Sequence, residues 1–255
     1  MNIILIQVIH NEINMLPWKY KWAKENGINL YTFDNGSTDG SWEWLNRVGK
    51  KRSIHCGHEQ LETFGIFSLK LNNRAIIKKF HDLKPDWCIV AGCDSFYKLL
   101  DYPISLNKYI EIIDDMGFNV IDSSRVFNFY YTGKESDLKN KDPRQEYHYY
   151  EERNDWNIHL ISKFQPNFDI DGDQFKFENK KVFKYNNFVM LHYWFRSDAR
   201  ERFISKWQRR NQSWLKGIDI KEHGKHYPEI VMQDNWIRDP GELRDIRKLE
   251  VQVKK

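Results

Sequence analysis

The sequence predicts an α/β protein, a single domain built on a mostly parallel sheet flanked by helices. Three observations carry this prediction. Short apolar runs without alternation occur at residues 3–9, 28–33 and 87–91, as strands buried on both faces require. Segments with helical spacing separate them. The resulting order of strand, helix, strand, helix, strand implies βαβ crossovers and parallel pairing. A chain of 255 residues is long enough to bury a substantial core.

The elements follow in order. Asn11 and Asn14 offer caps for a helix running to about Asn26, with Leu16, Tyr20 and Ala23 on one face and Gly27 ending it. Residues 34–40, Asp-Asn-Gly-Ser-Thr-Asp-Gly, have the composition of a turn. A helix starts at Ser41 and places Trp42, Leu45 and Val48 on one face. Residues 53–56 are read as a short strand and 67–84 as a helix. The second half is less regular. It holds a helix over 107–116, a strand within 119–129 centred on Val120 and Ile121, and a polar loop over 132–155. At least one strand lies within 182–194, and a helix over 197–215 has Ser197 as its cap.

Composition narrows the class. Hydrophobic residues make up 40% and charged residues 30%, which fits a folded globular chain rather than a disordered one. The net charge of +4 suits an anionic small molecule or an anionic membrane surface. At +4 the charge falls short of a nucleic-acid signature. Cys56, Cys88 and Cys93 have no disulfide framework, which points to a reducing compartment. No apolar run is long enough to span a bilayer, so a cytoplasmic location is expected. The helix after Ser197 is basic and carries Phe203, Trp207 and Trp214 near one side. It either packs on the sheet or lies on an anionic membrane face.

Ligands of parallel sheets bind outside the carboxyl ends of the strands. Three polar tips stand there: His10-Asn11-Glu12, Asp34-Asn35 and Cys93-Asp94. Asp34 can accept a nucleobase N–H or a ribose hydroxyl, or serve as a turn cap. Asn35, Ser37, Thr38 and Asp39 can fix the turn by side-chain to backbone bonds. Asp94 suits a hard divalent cation bridging a diphosphate, or a capped turn. In the run 191–197, Leu-His-Tyr-Trp-Phe-Arg-Ser, His192 can ligate that cation or sit satisfied in the core, and Arg196 can pair with phosphate. His55 and His58 have no second close pair of metal-type residues, so zinc is not expected. The sequence holds no Gly-x-Gly-x-x-Gly, P-loop or Gly-x-Ser-x-Gly motif.

Taken together, these segments resemble family 2 glycosyltransferases of the GT-A, Rossmann-type fold. The relevant branch carries an Asn-Glu motif, an Asp-Asn-x-Ser-x-Asp-Gly turn, an Asp-x-Asp-Glu-Phe motif and a late His-Tyr…Arg-Ser motif. The matching stretches are residues 8–12, 31–40, 86–87, 94–96 and 192–197, with Leu16, Pro17, Gly27, Asn73 and Lys206 between and beyond. The resemblance implies transfer of a sugar from a nucleotide diphosphate sugar, a UDP-sugar first of all, to a glycan or lipid-linked glycan hydroxyl, with inversion. It implies that Ile9, His10, Asn11, Glu12, Asp34 and Asn35 hold the nucleoside, and that Asn73 and Arg196 lie near the ribose or phosphates. It also implies that Asp94, with His192, binds Mn2+ or Mg2+. Residues 1–98 would form the nucleotide-sugar half and 99–215 the acceptor half, with 216–255 as a C-terminal extension. The high aromatic content, 15%, suits sugar-ring stacking as well as core packing.

The family pattern Asp-x-Asp-Glu reads Gly92-Cys93-Asp94-Ser95 here, with fewer carboxylates for a hard cation. The catalytic base is sought among carboxylates of the second half: Asp173 first, with Asp171 and Asp155 as rivals. The alternative is a catalytically silent nucleotide-sugar or glycan-binding protein. A sugar-phosphate nucleotidyltransferase would need a glycine-rich loop where His10-Asn11-Glu12 stands.

Overall fold

A computed structural model describes residues 1–61, 65–133, 135, 141–153, 158, 160–172, 174–216 and 238–253. The first half alternates as expected: β1 (Ile3–Ile9), α1 (Leu16–Glu25), β2 (Asn29–Asp34), α2 (Ser41–Arg47), β3 (His55–Gln60), α3 (Leu69–Leu83) and β4 (Trp87–Val90). β5 (Ser95–Leu99), α4 (Leu106–Asp115), β6 (Val120–Ile121) and β7 (Val126–Tyr130) follow. Next come α5 (Pro143–Glu146), β8 (Tyr149–Arg153), β9 (Ile161–Lys163), the hairpin of β10 (Asp169–Asp171) and β11 (Gln174–Lys176), and β12 (Val182–Phe183). β13 (Phe188–Phe195), α6 (Ala199–Leu215), β14 (Arg244–Asp245) and a closing helix Ile246–Val253 complete the chain.

The main sheet has seven strands in the order β12-β6-β9-β4-β1-β2-β3. β1 pairs in parallel with β2 and β4, and β2 with β3; β9 runs antiparallel to both β4 and β6. A second sheet, β14-β8-β7-β13-β5, is mixed and largely antiparallel. The fold is thus a mixed α/β domain with a parallel-rich sheet flanked by helices. One apolar cluster joins Ile3 and Leu5 of β1 to Phe127 of β7 and Val189 of β13, so the two sheets share a core.

Several elements differ from the sequence reading. The third strand lies at 55–60 instead of 53–56, because a polar edge strand has no hydrophobic period to mark it. The stretch 132–155 is not all loop: it contains α5, capped by Asp142, and β8, whose Tyr150 is buried against Phe127. Asn11 and Asn14 do not cap α1. Met15 occupies that place without a side-chain bond, and Asn11 adopts φ +56. Most aromatics fill the core, Trp22, Trp87, Phe96, Phe127 and Tyr193 among them.

On α6, Phe203 is buried against Trp194 and Phe195. Lys206 and Arg210 lie over the Phe67 ring. This helix therefore packs on the domain, the first of the two readings. The Trp214 side chain lies outside the described residues.

His55 and His58 belong to a one-way chain of hydrogen bonds at the β3 edge. Gln7 Nε2 donates to Thr32 Oγ1 (3.0 Å), which contacts Tyr20 Oη (3.3 Å); Tyr20 Oη lies 2.8 Å from His55 Nδ1. His55 Nε2 meets His58 Nδ1 at 3.1 Å, and His58 Nε2 meets Asn46 Oδ1 at 3.2 Å. Two neutral rings satisfy every link, so an added proton has no acceptor within the chain. Burial, with the His58 and Lys50 charges, lowers His55 to about 4; burial and Lys50 lower His58. The unfolded ring takes its proton near 6.5. Stability is therefore complete above that pH and is lost as pH falls from 6.5 towards 4. After discounting for partial exposure the loss is about 1–2 kcal/mol, a few degrees of Tm. Melting curves between pH 7 and 4.5 should show His55→Gln losing less than the parent; equal slopes would rule this out.

Candidate functional site

Asp34 ends β2 beside Ile9, which ends β1; the pair are register partners. The two loops that follow are stitched together. Asn35 N donates to the Ile9 carbonyl (2.9 Å), and His10 Nδ1 to the Asn35 carbonyl (2.9 Å). Asn11 N donates to Ser37 Oγ, and Thr38 N to Asn11 Oδ1. Left-handed backbone at Asn11 is tolerable for its residue type and turns its amide towards the second loop. Asp39 accepts from the backbone of both Ile13 and Ser41, so it ties the loops and starts α2 together. Of the side-chain to backbone bonds expected of this turn, Ser37 and Asp39 make theirs, Asn35 bonds the backbone of Gly65 and Ile66, and Thr38 takes part through its backbone N–H.

Asp34 is sealed at 0% exposure. Its Oδ1 accepts from Ser37 N at 2.8 Å, whereas Oδ2 is buried with no partner. Burial raises its pKa, with bonds from Ser37 and Gly36 opposing. A buried carboxylate oxygen without a donor is costly.

Further along the strand ends, four charged groups interlock. Glu12 Oε2 accepts from Arg196 Nη2 (3.0 Å) and Oε1 from Arg202 Nη2 (2.5 Å). The same Arg202 nitrogen donates to Asp94 Oδ2 (3.0 Å). β13 delivers Arg196, and the first turn of α6 delivers Arg202. Arg196 is almost sealed, and its Nη1 has no partner. Arg202 keeps 20% of its side chain exposed.

On the other side of Asp94, His192 Nε2 stands 3.8 Å from Oδ1, and His192 Nδ1 bonds Asn128 Oδ1 at 2.9 Å. Burial lowers His192 to about 4, against the Asp94 charge and with Lys206, Arg202 and Arg196. The ring is therefore neutral near pH 7. Burial alone would raise Asp94, but His192, Arg202 and Arg196 outweigh it and hold the carboxyl well below the usual range. With His192 neutral, the arginines supply that effect. Beneath, Lys19 is fully buried, donates to the Ser95 carbonyl, and is lowered to about 8 chiefly by burial.

The residues do not form a ready divalent-cation site. Glu12 spends both oxygens on guanidinium groups, and Asp94 spends one. That leaves Asp94 Oδ1, 3.8 Å from His192 Nε2, as the nearest carboxylate oxygen for a cation, where Mg2+ or Mn2+ favours a set of oxygen ligands. Glu12 and Asp94 are already paired with guanidinium groups, so a dication would have to compete with the arginines for them. Among the described residues, no group of three His, Cys, Asp or Glu is placed to hold a metal. The expected ligand pair, Asp94 and His192, is brought together, but around it stands a basic rather than an acidic field.

The remaining site expectations divide. Ile9, His10, Asn11, Glu12, Asp34 and Asn35 converge, and Arg196 joins them through Glu12. Asn73 lies on α3 and donates to the Ile170 carbonyl (3.4 Å), so its amide holds the β10–β11 hairpin. Asp171 is exposed on that hairpin, which packs Phe168, Ile170 and Phe175 towards α3. Asp173 and Asp155 lie outside the described residues. Sequence reasoning missed Arg202, Lys19 and Asn128. Arg202 is one of several basic residues on its helix, and no spacing distinguishes it; a lysine amid the apolar face of α1 was the available signal for Lys19.

No protein-family model matches the sequence, and no curated protein is similar enough to count as a relative. Solved structures do align. S. aureus TarS is 11% identical, with 91% of this chain covering 42% of that chain at a TM-score of 0.45. TarS 1-349 in complex with UDP gives 12% identity, 91% and 70% coverage, and a TM-score of 0.46. The mannosyltransferase PcManGT from Pyrobaculum calidifontis, in complex with GDP-Man and Mn2+, gives 10% identity, 99% and 73% coverage, and a TM-score of 0.47. The chain spans less than half the length of the full TarS chain. The functional reading therefore rests on this chain's own residues.

Proposed function

We propose that the chain is a glycosyltransferase that takes its sugar from a nucleotide diphosphate sugar, with a UDP-sugar as the first choice. The observation that carries this is Asp34: a sealed carboxylate at a parallel strand end with one oxygen lacking a donor. The imide N–H of uracil, or a ribose hydroxyl, supplies that donor. The loop backbone at Ile9–Asn11 borders the same place. From there the diphosphate runs towards Arg202, whose forked donors match phosphate oxygens, with the sealed Arg196 holding Glu12 in place behind it. The acceptor is a glycan or lipid-linked glycan hydroxyl. It attacks the anomeric carbon in line while the bond to the diphosphate oxygen breaks, inverting the centre. Its proton passes to a carboxylate of the second half, Asp173 first, with Asp171 and Asp155 as rivals. The loss of carboxylates at Gly92 and Ser95 favours one rival, a silent nucleotide-sugar-binding protein. Turnover of a UDP- and GDP-sugar panel separates the two, because binding without hydrolysis or transfer sinks the enzyme reading.

Asp34→Asn tests the nucleoside side. The amide keeps an oxygen for Ser37 N–H and puts an N–H2 where the ligand donor must sit. Losing a hydrogen bond to a charged group costs about 1.5–3 kcal/mol, so the UDP Kd should rise roughly 10- to 100-fold. The melting temperature should hardly move. Unchanged UDP affinity would remove Asp34 from the site.

A further inference from the structure

The family resemblance calls for a cation at Asp94, yet the position beside Asp94 is taken by a guanidinium. Three features make this a built arrangement rather than an accident of one side chain. First, Arg202 is clamped from two sides, by Glu12 Oε1 (2.5 Å) and Asp94 Oδ2 (3.0 Å), from loops that follow different strands. Second, Gly92 is part of the same device. A Cβ at position 92 would lie 2.7 Å from Asp94 Oδ1. A side chain there would require the Asp94 carboxylate, which meets Arg202 through its other oxygen, Oδ2, to shift. Third, Arg202 begins a basic stripe. Lys206 and Arg209 follow at helical spacing, i+4 and i+7, and Lys206, Arg209 and Arg210 approach Phe67 at 4.8, 6.0 and 5.1 Å. Phe67 adjoins Ile66, whose carbonyl accepts from Asn35 Nδ2 (2.8 Å). The stripe therefore runs from Asp94 to the Asn35 loop, the path a nucleoside diphosphate takes in the reading above.

We propose that Arg202 replaces the divalent cation at this site, and that donor binding and turnover proceed without a metal ion. The inference rests on the nucleotide-sugar reading. Glu12 and Asp94 fix the guanidinium in place instead of coordinating a cation; its Nη1 donates to the Trp194 carbonyl (3.4 Å), and 20% of the side chain stays exposed to meet a donor, while Arg196 is sealed. When the acceptor oxygen bonds to the anomeric carbon, the bond to the β-phosphate oxygen breaks and its electron pair stays on the diphosphate. The acceptor proton goes to a carboxylate base. Arg202 meets the charge that develops on the leaving oxygen, as preorganised donors do at other developing anions.

The test uses the full chain and three probes: uridine, UDP and a UDP-sugar, each in EDTA and in MnCl2. The expected result is one UDP Kd and one rate of UDP-sugar turnover in both buffers. Arg202→Met should weaken UDP and slow turnover by roughly 100-fold while leaving uridine binding unchanged, and Arg202→Lys should fall between. Melting curves confirm that each variant is folded, and the EDTA comparison on the unaltered protein stands even if one is not. UDP binding or turnover that vanishes in EDTA and returns with Mn2+ overturns the inference and leaves the donor reading intact. Failure of UDP and uridine to bind in either buffer overturns both.

Discussion

Glu12→Ala should cost roughly 3–5 kcal/mol of folding stability and lower the melting temperature by about 10 °C. Glu12 is only 8% exposed, and both its oxygens are engaged by guanidinium groups. Removing it leaves Arg196 and Arg202 facing each other in a buried place. Arg196 would keep its Nε bond to Asp198 Oδ1 (3.3 Å), a partly exposed carboxylate, but its Nη1 already has no partner and Nη2 would lose the one from Glu12. Losing one member of a buried ion pair is costly because the survivor stays charged out of water. Glu12→Gln keeps an acceptor and the side-chain shape, and should lose less. The effect should also be salt-resistant, since buried pairs are poorly screened. A melting point within 2 °C of the parent would mean that the arginines find other partners, and that the quartet is not the clamp described above.

Much of the frame was readable because parallel strands covered on both faces are apolar without interruption. Residues 3–9 and 87–90 therefore stand out, and β2 was misplaced by only one residue at each end. From that frame the convergence of His10–Glu12, Asp34 and Asp94 followed by topology alone. What resisted was pairing between polar elements. β3, His-Cys-Gly-His-Glu-Gln, sits at a sheet edge with no apolar period, and β8 hides its buried Tyr150 in a charged stretch. Arg202 resisted for a different reason. Its partner Glu12 is 190 residues away in sequence, and nothing local on a basic helix says which arginine turns inward. The departure at Gly92 was legible as a loss of carboxylate. Its physical sense, room for the Asp94 pose, needed coordinates.

Trp87→Ala should be as damaging to stability as Glu12→Ala, and for a reason that leaves the site alone. Trp87 opens β4 at 0% exposure, is the register partner of Ile3, and donates its indole N–H to Asp114 on α4 at 3.1 Å. Truncation removes the largest ring in this part of the core and leaves a cavity, at about 3–5 kcal/mol. Trp87→Phe should keep most of the packing, lose the Asp114 bond, and cost less. Because the strand runs from Trp87 towards Asp94, the defect lies at the end of the sheet opposite the strand tips that carry Glu12, Asp34 and Asp94. The alanine variant should therefore melt about 10 °C lower, yet bind UDP as the parent does well below its melting point. The contrast with Glu12→Ala, which should lose both stability and UDP affinity, measures whether core and site are separable. A Trp87→Ala protein that is folded by circular dichroism but has lost UDP would show that the strand-end loops depend on packing at the far end of β4, and that the site is not an independent property of the tips.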